Sequence, residues 1–369
     1  MLCEARVKFF RQLLVIPAAI SFAVPVAADM ASGNTKYDSD SLQITVTGTR
    51  NEKFVDDVPS SIDVIDLSDY KYDGLSELKD LFKYETGVSV EFNNAPSYGT
   101  ISSTGGNVNI RGMELNRILF TQDGIRLPAA FGYESGLAYD YDRGDYVDFN
   151  TLKAVEVVKG PGSTLYGSDA LGGIISFRSL QASDLLKPGE EFAVEIPASY
   201  TGFNNGKSGS IKIATRDEEN GLSAIGVISY LRSDESKPKD FQDSDDWITK
   251  IDRKGSAFYV NIDKETGDNK SVSLNVERVQ RETEAIRPKN TLKTYAPFLP
   301  NYYFTIQEQD IETTKDRIML SYNYENKEKN SGINSLIAKG YYQNAAIDDV
   351  WDEKLIRYGV PTHAISDYQ

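Results

Sequence analysis

The sequence predicts a two-part chain, an α+β globular domain followed by antiparallel strands of a transmembrane β-barrel. Three observations carry this reading. Between Asn107 and Asp184 short β-branched runs are punctuated by dense glycines; one stretch, Leu75 to Tyr84, has helical spacing; and beyond Leu186 apolar and polar residues alternate in segment after segment. Strict alternation suits a wall with one apolar and one aqueous face.

Met1 to Ala28 comes first. Arg6, Lys8 and Arg11 precede an apolar run from Leu13 to Val26, and Ala27 and Ala28 are small enough for cleavage, so this is a secretory signal peptide. The run is short and broken by Pro17 and Pro25, which argues against an anchor. Cys3 is the only cysteine and is removed with the signal, leaving no thiol for a disulfide, a thiolate metal site or a nucleophile. After Ala28 no run approaches the roughly 18 apolar residues of a spanning helix, so any membrane crossing uses strands. A net charge of −15 argues against a nucleic-acid partner.

Residues 29–52 form an arm. Asp29 to Asp40 is polar and without periodicity, a flexible stretch. Leu42 to Arg50 is strand-prone yet has no neighbour, and its free edge suits strand addition to another protein's sheet. The other reading makes it the first strand of the domain that follows.

That domain occupies residues 53–186. Ser61 to Ile65 is a short strand after the Val58-Pro59 turn, and Leu75, Leu78, Leu81 and Phe82 form one face of a helix stopped near Gly87. Ile118 to Phe120 runs into Asp123-Gly124, a hairpin signal. Leu152 to Arg178 reads as strand, tight turn, strand: Val155, Val157 and Val158, then Gly160-Pro161-Gly162, then Gly172-Gly173 and Ile174 to Phe177. No Gly-Lys-Ser/Thr follows these glycines, so they do not form a phosphate loop.

Several motifs stand here in a fixed order: Ile110-Arg-Gly112, Gln122-Asp-Gly124, Val155 to Pro161, Leu165-Tyr-Gly167 and Ala170-Leu-Gly-Gly173. Together they resemble the plug domain of TonB-dependent outer-membrane receptors, and Ile175 to Arg178 with Gln181 to Leu186 is most similar to the haem and haemoglobin receptor branch. The resemblance implies a plug over residues 53–186, the N-terminal part of a barrel over 187–369, and a place in the outer membrane of a Gram-negative cell. It implies energised uptake of an iron-containing ligand, haem or haem from haemoglobin, with haem as cargo and no intrinsic cofactor. A ferric siderophore or another non-haem cargo is the alternative within the family; a secreted structural or adhesive β protein is the alternative outside it. Ile44, Thr45, Val46 and Thr47 would be the TonB box, which engages a TonB-type periplasmic energy-transducing protein. Arg111 and Lys159 stand where the family places basic residues that lock the plug to barrel glutamates; ordinary solvated charges are the other reading.

Leu127 to Asn150 carries Phe131, Tyr133, Tyr139, Tyr141 and Tyr146 among glycines and aspartates, with nothing core-like. By resemblance this is an apex loop, with Tyr133, Tyr139, Tyr141 and Tyr146 as candidate ligand contacts. Aromatic bodies with polar tips suit a flat, partly apolar ligand; packing of the loop against the wall is the other reading. Haem-branch receptors commonly place a histidine here, whereas His363 is the only histidine of this chain. Either a tyrosinate takes the iron or the cargo is not haem, and the metal ligand set stays unknown. Asp140, Asp142 and Asp145 lack the spacing of a calcium loop.

In the second part Phe192, Val194, Ile196, Ala198 and Tyr200 share one side, and Ser210 to Thr215, Leu222 to Leu231, Ala257 to Ile262, Val272 to Val276, Ile318 to Tyr324 and Leu336 to Tyr342 follow as strands. Asp234 to Asp246 and Glu282 to Asp310 read as extracellular loops, and Gly359 to Gln369 shows no alternating strand. A plugged transporter barrel has about 22 strands of about 9 to 11 residues. The residues after Leu186 hold fewer than half of these, so the barrel is expected to be incomplete in this chain. With one histidine and no Gly-x-Ser-x-Gly elbow, nothing assembles a nucleophile with its base, and no enzyme is expected.

Overall fold

A computed structural model describes residues 44–45, 53–54, 61–70, 75, 78–90, 108–128, 143–167, 169–202, 204–234, 250–267, 269–287, 302–325, 335–357 and 360–368. The signal-peptide expectation lies outside them. So do Val46, Thr47, Tyr133, Tyr139 and Tyr141.

The arm departs from expectation at once. Strand β1 (Ile44–Thr45) is paired antiparallel with β2 (Lys53–Phe54), Ile44 opposite Phe54 and Thr45 opposite Lys53. Thus the strand-prone segment does have a neighbour, supplied from its own chain.

The globular domain is built on a five-stranded sheet of β3 (Ile62–Asp66), β6 (Ile118–Gln122), β7 (Ile125–Arg126), β8 (Leu152–Lys159) and β9 (Gly173–Ser179). Its spatial order is β3-β8-β9-β6-β7, and only β6 and β9 run parallel. Helix α1 (Leu78–Phe82) and the pair β4 (Val88–Val90) and β5 (Val108–Ile110) cover one face. There Leu78, Leu81 and Phe82 pack with Ile110, Phe120 and Phe177. The opposite face buries Ile62, Leu119, Val158 and Ile174. Both faces being covered, β6 is buried at every position and β8 at all but Lys153, without alternation.

Two boundaries differ from the sequence reading. The described helix is shorter, Leu78–Phe82, and the Gly160 to Gly172 link is no tight turn but carries the helix α2 (Ser163–Tyr166). Gly173 re-enters the sheet where a Cβ would lie 2.5 Å from the Val158 carbonyl oxygen and 2.8 Å from Ile110 Cδ1, so only glycine fits there.

Helix α3 (Ala182–Leu185) leads into the second part, a nine-stranded antiparallel sheet among the described residues. It comprises β10 (Phe192–Glu195), β11 (Ala198–Thr201), β12 (Gly206–Asp217), β13 (Leu222–Asp234), β14 (Lys250–Glu265), β15 (Lys270–Arg287), β16 (Tyr302–Glu325), β17 (Ser335–Arg357) and β18 (Val360–Tyr368). Neighbours in sequence are neighbours in space, except that β10 and β11 both pair with β12. The single run expected from Phe192 to Tyr200 is split at Pro197, which has no N–H to give the ladder; its carbonyl accepts from the Ser210 N–H at 3.1 Å.

Charged residues at the strand ends hid part of this sheet. Glu282 to Arg287 belongs to β15 and Tyr302 to Asp310 to β16, where a loop was expected; the residues between them lie outside the described set. Residues 360–368 likewise form a strand. Alternation persists through these ends, but the outward side turns from apolar to acidic, as at Glu282 and Glu284 opposite Glu312 and Asp310.

The two faces of the sheet contrast. Outward stand Ile211, Ile228, Phe258, Ile318 and Leu320, each at least 45% exposed, while Tyr259, Arg281, Lys315 and Arg317 on the inner face are buried. The globular domain sits on that inner face.

Candidate functional site

The seam between the globular domain and the sheet concentrates the buried charge. On the domain side the β6–β7 turn delivers it: Asp123 (φ 52°) and Gly124 (φ 79°) adopt the left-handed backbone of a tight hairpin. Gln122 and Asp123 thereby project from the end of β6 toward the sheet. The Ser179 N–H and hydroxyl fix the Asp123 carboxylate at 2.9 and 2.7 Å.

From the sheet, inward residues of β15 and β16 meet this turn. Arg317 donates to Asp123 Oδ2 at 2.7 Å and to the Gln122 carbonyl at 3.2 Å. Lys315 donates to Gln122 Oε1 at 2.6 Å, and Gln122 Nε2 donates to Glu277 Oε1 at 3.0 Å. Glu277 lies 3.0 Å from Lys315 and 3.1 Å from Arg317. Two carboxylates thus face two cations, with Gln122 joining the rows. Balance matters because an unpaired ion buried here would cost several kcal/mol, roughly.

Burial by itself would raise the Asp123 carboxyl, but the Arg317 charge and the Ser179 hydrogen bonds outweigh it and hold it below its usual value of 3.8. The network extends sideways: Arg317 reaches Asn275, Asn275 donates to the Tyr259 hydroxyl at 2.9 Å, and that hydroxyl donates to the Leu180 carbonyl at 2.7 Å. Lys339 and Gln343 of β17 donate to the carbonyls of Asp123 and Arg126.

A second contact lies at Val147 to Asn150. Arg281 donates to the Val147 carbonyl at 3.0 Å and to Asp148 Oδ2 at 2.9 Å. Ser210 donates to Asn150 Oδ1 at 3.2 Å. Toward β10–β12 the seam softens, with an apolar cluster at Leu180, Leu186 and Ile225 and a cavity of about 300 Å³ bordered by Tyr70, Phe149, Lys153, Ser199 and Lys212.

The sequence-derived candidates fall in different places. Arg111 and Lys159 do come together, but inside the domain: Arg111 donates to the Lys159 carbonyl at 3.1 Å, and the Lys159 ammonium pairs with Asp63 and lies 3.7 Å from Glu85. Burial and then the neighbouring Asp63 raise the Glu85 carboxyl above its usual value. Tyr146 is corrected outright. It is 5% exposed and belongs to the main core with Val147, so it packs the domain and offers no surface to a ligand. The 127–150 segment is therefore core-like at its C-terminal end. Ile44 and Thr45 lie in the β1–β2 pair. Among the described residues no group of His, Cys, Asp and Glu could hold a metal ion.

Sequence reading missed Glu277, Lys315 and Arg317. For two of them the signal was present in phase: Glu277 follows Val276 and Arg317 precedes Ile318, so each of these charges occupies the face opposite an outward apolar residue, whereas Lys315 stands between Thr314 and Asp316.

Parts of this chain are similar to known proteins. The family model described as the TonB-dependent Receptor Plug Domain matches residues 55–174. A hemin receptor of Yersinia enterocolitica is 29% identical over 218 residues, which cover 58% of this chain and 29% of that protein. The heme/hemopexin utilization protein C of Haemophilus influenzae is 34% identical over 180 residues, 46% of this chain and 24% of that protein. The chain thus spans less than a third of the length of these curated relatives. In fold it is similar to the FrpB iron transporter from Neisseria meningitidis, with a TM-score of 0.56 at 18% identity, covering 80% of this chain and 45% of that one. Residues 55–174 thus match the TonB-dependent Receptor Plug Domain, and the fold, a plug seated by polar contacts on the inner face of an antiparallel wall, is similar to that of the FrpB iron transporter.

Proposed function

We propose that this protein acts in the outer membrane as a TonB-dependent receptor that takes up an iron-containing cargo, haem or haem from haemoglobin. One observation carries the reading: the plug is held to the wall by a charge-balanced polar seam, while the wall's other face is apolar. A seat of hydrogen bonds and ion pairs can be opened and remade where water enters, whereas the apolar outer face is suited to lipid. The names of the hemin and heme/hemopexin relatives favour haem over a siderophore. Export follows cleavage near Ala28.

In this reading Ile44 to Thr47 is the docking strand for the periplasmic TonB-type partner. Because Ile44 and Thr45 already pair with Phe54 and Lys53, the partner adds to or displaces that two-residue ladder. Tyr133, Tyr139 and Tyr141 are the candidate cargo contacts.

The test uses the full-length receptor in a haem-requiring Gram-negative host. Wild type should support growth on haem, and the purified receptor should shift the Soret band of added haem. Val46→Pro, which removes an N–H from the docking strand, should abolish growth yet leave the Soret shift intact. Absence of any shift with wild type would remove haem as the cargo; normal growth with Val46→Pro would remove the docking role.

A further inference from the structure

Gly255 lies on the inner side of β14, directly opposite Arg281 of β15. An added Cβ at Gly255 would collide with Arg281 Nη1, and would stand 2.9 Å from Arg281 Cδ and 2.9 Å from Leu231 Cγ. The arginine side chain therefore lies flat across the bare backbone of the neighbouring strand. From that position its Nη2 reaches the plug and donates to the Val147 carbonyl and Asp148 Oδ2. Both partners are buried, Arg281 at 6% and Asp148 at 1% side-chain exposure.

Asp148 has a second task. Its Oδ1 accepts from the Asn150 N–H at 2.9 Å, which caps the short 3₁₀ turn Phe149–Thr151. Its carbonyl accepts from the Thr151 N–H at 3.0 Å and hydroxyl at 2.7 Å. That turn runs straight into β8. Asp148 is accordingly where the segment bearing Tyr133, Tyr139 and Tyr141 is rooted in the plug sheet, and Arg281 ties the root to the wall.

We infer that Gly255 is a positioning residue for cargo binding: it clears the path along which Arg281 latches the root of the cargo-facing segment to the wall. The link to cargo rests on the proposed function; the latch itself does not. Lysine in place of Arg281 would be a point charge of shorter reach, without the planar guanidinium that lies across Gly255 and brings Nη2 to both acceptors. A side chain at Gly255 would meet Arg281 and Leu231, both on the wall, so any effect that it has on the plug through the latch depends on Arg281 being present.

The experiment is a double-mutant cycle on the full-length receptor in lipid, since residues that share one contact fail additivity. The first readout is amide hydrogen exchange at Asn150 and Thr151, whose N–H groups depend on Asp148. Gly255→Ala should speed exchange about tenfold, as expected when a charge-assisted hydrogen bond is lost. In the Arg281→Ala background the same substitution should add nothing. The second readout is haem affinity, which should weaken with the same non-additivity. The clash is with the side chains of Arg281 and Leu231 and not with backbone, so Gly255→Ala should insert; should it not, Arg281→Lys supplies the comparison and should also speed exchange. Unchanged exchange in Gly255→Ala, or an equal acceleration with Arg281 already removed, would overturn the latch. Exchange as expected with haem affinity unaltered would overturn its role in cargo binding, whereas a wild type that binds no haem would sink the cargo assignment and leave the exchange result to judge the latch.

Discussion

Lys159 and Arg317 are both buried cations set beside carboxylates, but they answer to different bodies. Lys159 pairs with Asp63 and Glu85 of its own domain, while Arg317 leaves the wall to reach Asp123 and shares Glu277 with Lys315. The first cluster ties β3 and the end of α1 to β8 and stiffens the plug. The second bridges the plug and the wall. Within the described residues Lys159 braces the plug internally, and its expected locking to barrel glutamates is a separate matter. At the seam the wall contributes the cations and the plug the turn that receives them.

The largest expected effect follows from cutting the second cluster. Arg317→Met keeps most of the volume but strands Asp123 beside an incomplete set of partners. Breaking a buried pair from one side costs about 3–5 kcal/mol, and the cost should appear as lost plug seating. Lys159→Met should weaken the plug by less, because Asp63 retains 38% side-chain exposure and is partly hydrated. The Ser179 N–H, bonded to Asp123, separates the two cases: its exchange should accelerate in Arg317→Met and stay at the wild-type rate in Lys159→Met. Equal acceleration in both would erase the division between inner brace and outer lock.

Acidification sharpens the same comparison. Burial works against the charged Asp123, but Arg317 and Ser179 bring its folded value below the unfolded one. Its contribution is therefore complete above the ordinary carboxylate range and disappears as pH falls through the depressed value. Glu85 runs the other way. Burial first, and Asp63 second, raise it above 4.5, so its favourable contribution is complete below the unfolded value and is lost as pH rises through the raised one. From neutral downward Glu85 should take up its proton first, and the seam should still be closed at about pH 5. Carboxyl titration by infrared difference spectra, followed alongside Ser179 exchange, would show the order. Opening of the seam before Glu85 protonates would contradict it.

How far the sequence foretold this depends on range. Local signals sufficed for the Asp123-Gly124 turn, the β8 and β9 strands and the alternating wall, because turn chemistry and period-two patterning act within a few residues. Tyr146 was misplaced because an aromatic in a glycine- and aspartate-rich stretch looks exposed until Val147 and the core beneath it are seen. β15 and β16 were cut short since charge was read as loop, although Glu282, Thr283, Glu284 and Ala285 keep the strand period with exposed and buried sides. The lock was hardest to find. Asp123 and Arg317 are 194 residues apart, and no local rule pairs a turn with a strand at that separation. What was legible is that Arg317 and Glu277 stand on the inner phase, where a lone charge demands a partner.

The softer side of the seam offers the smallest and most discriminating break. Between the plug and β12 the Ser210 hydroxyl donates to Asn150 Oδ1, beside the apolar contacts of Leu180 and Leu186 with Ala214 and Ile225 and the cavity bordered by Ser199 and Lys212. Ser210→Ala removes one neutral hydrogen bond, worth about 0.5–1.5 kcal/mol net. The Asn150 backbone remains capped by Asp148, so exchange at Asn150 should change little and exchange at Ser179 not at all. If Ser210→Ala instead released the plug as fully as Arg317→Met, the charged side would not be the hold on the wall, and the contrast between a clamped flank and a yielding one would have to be reversed.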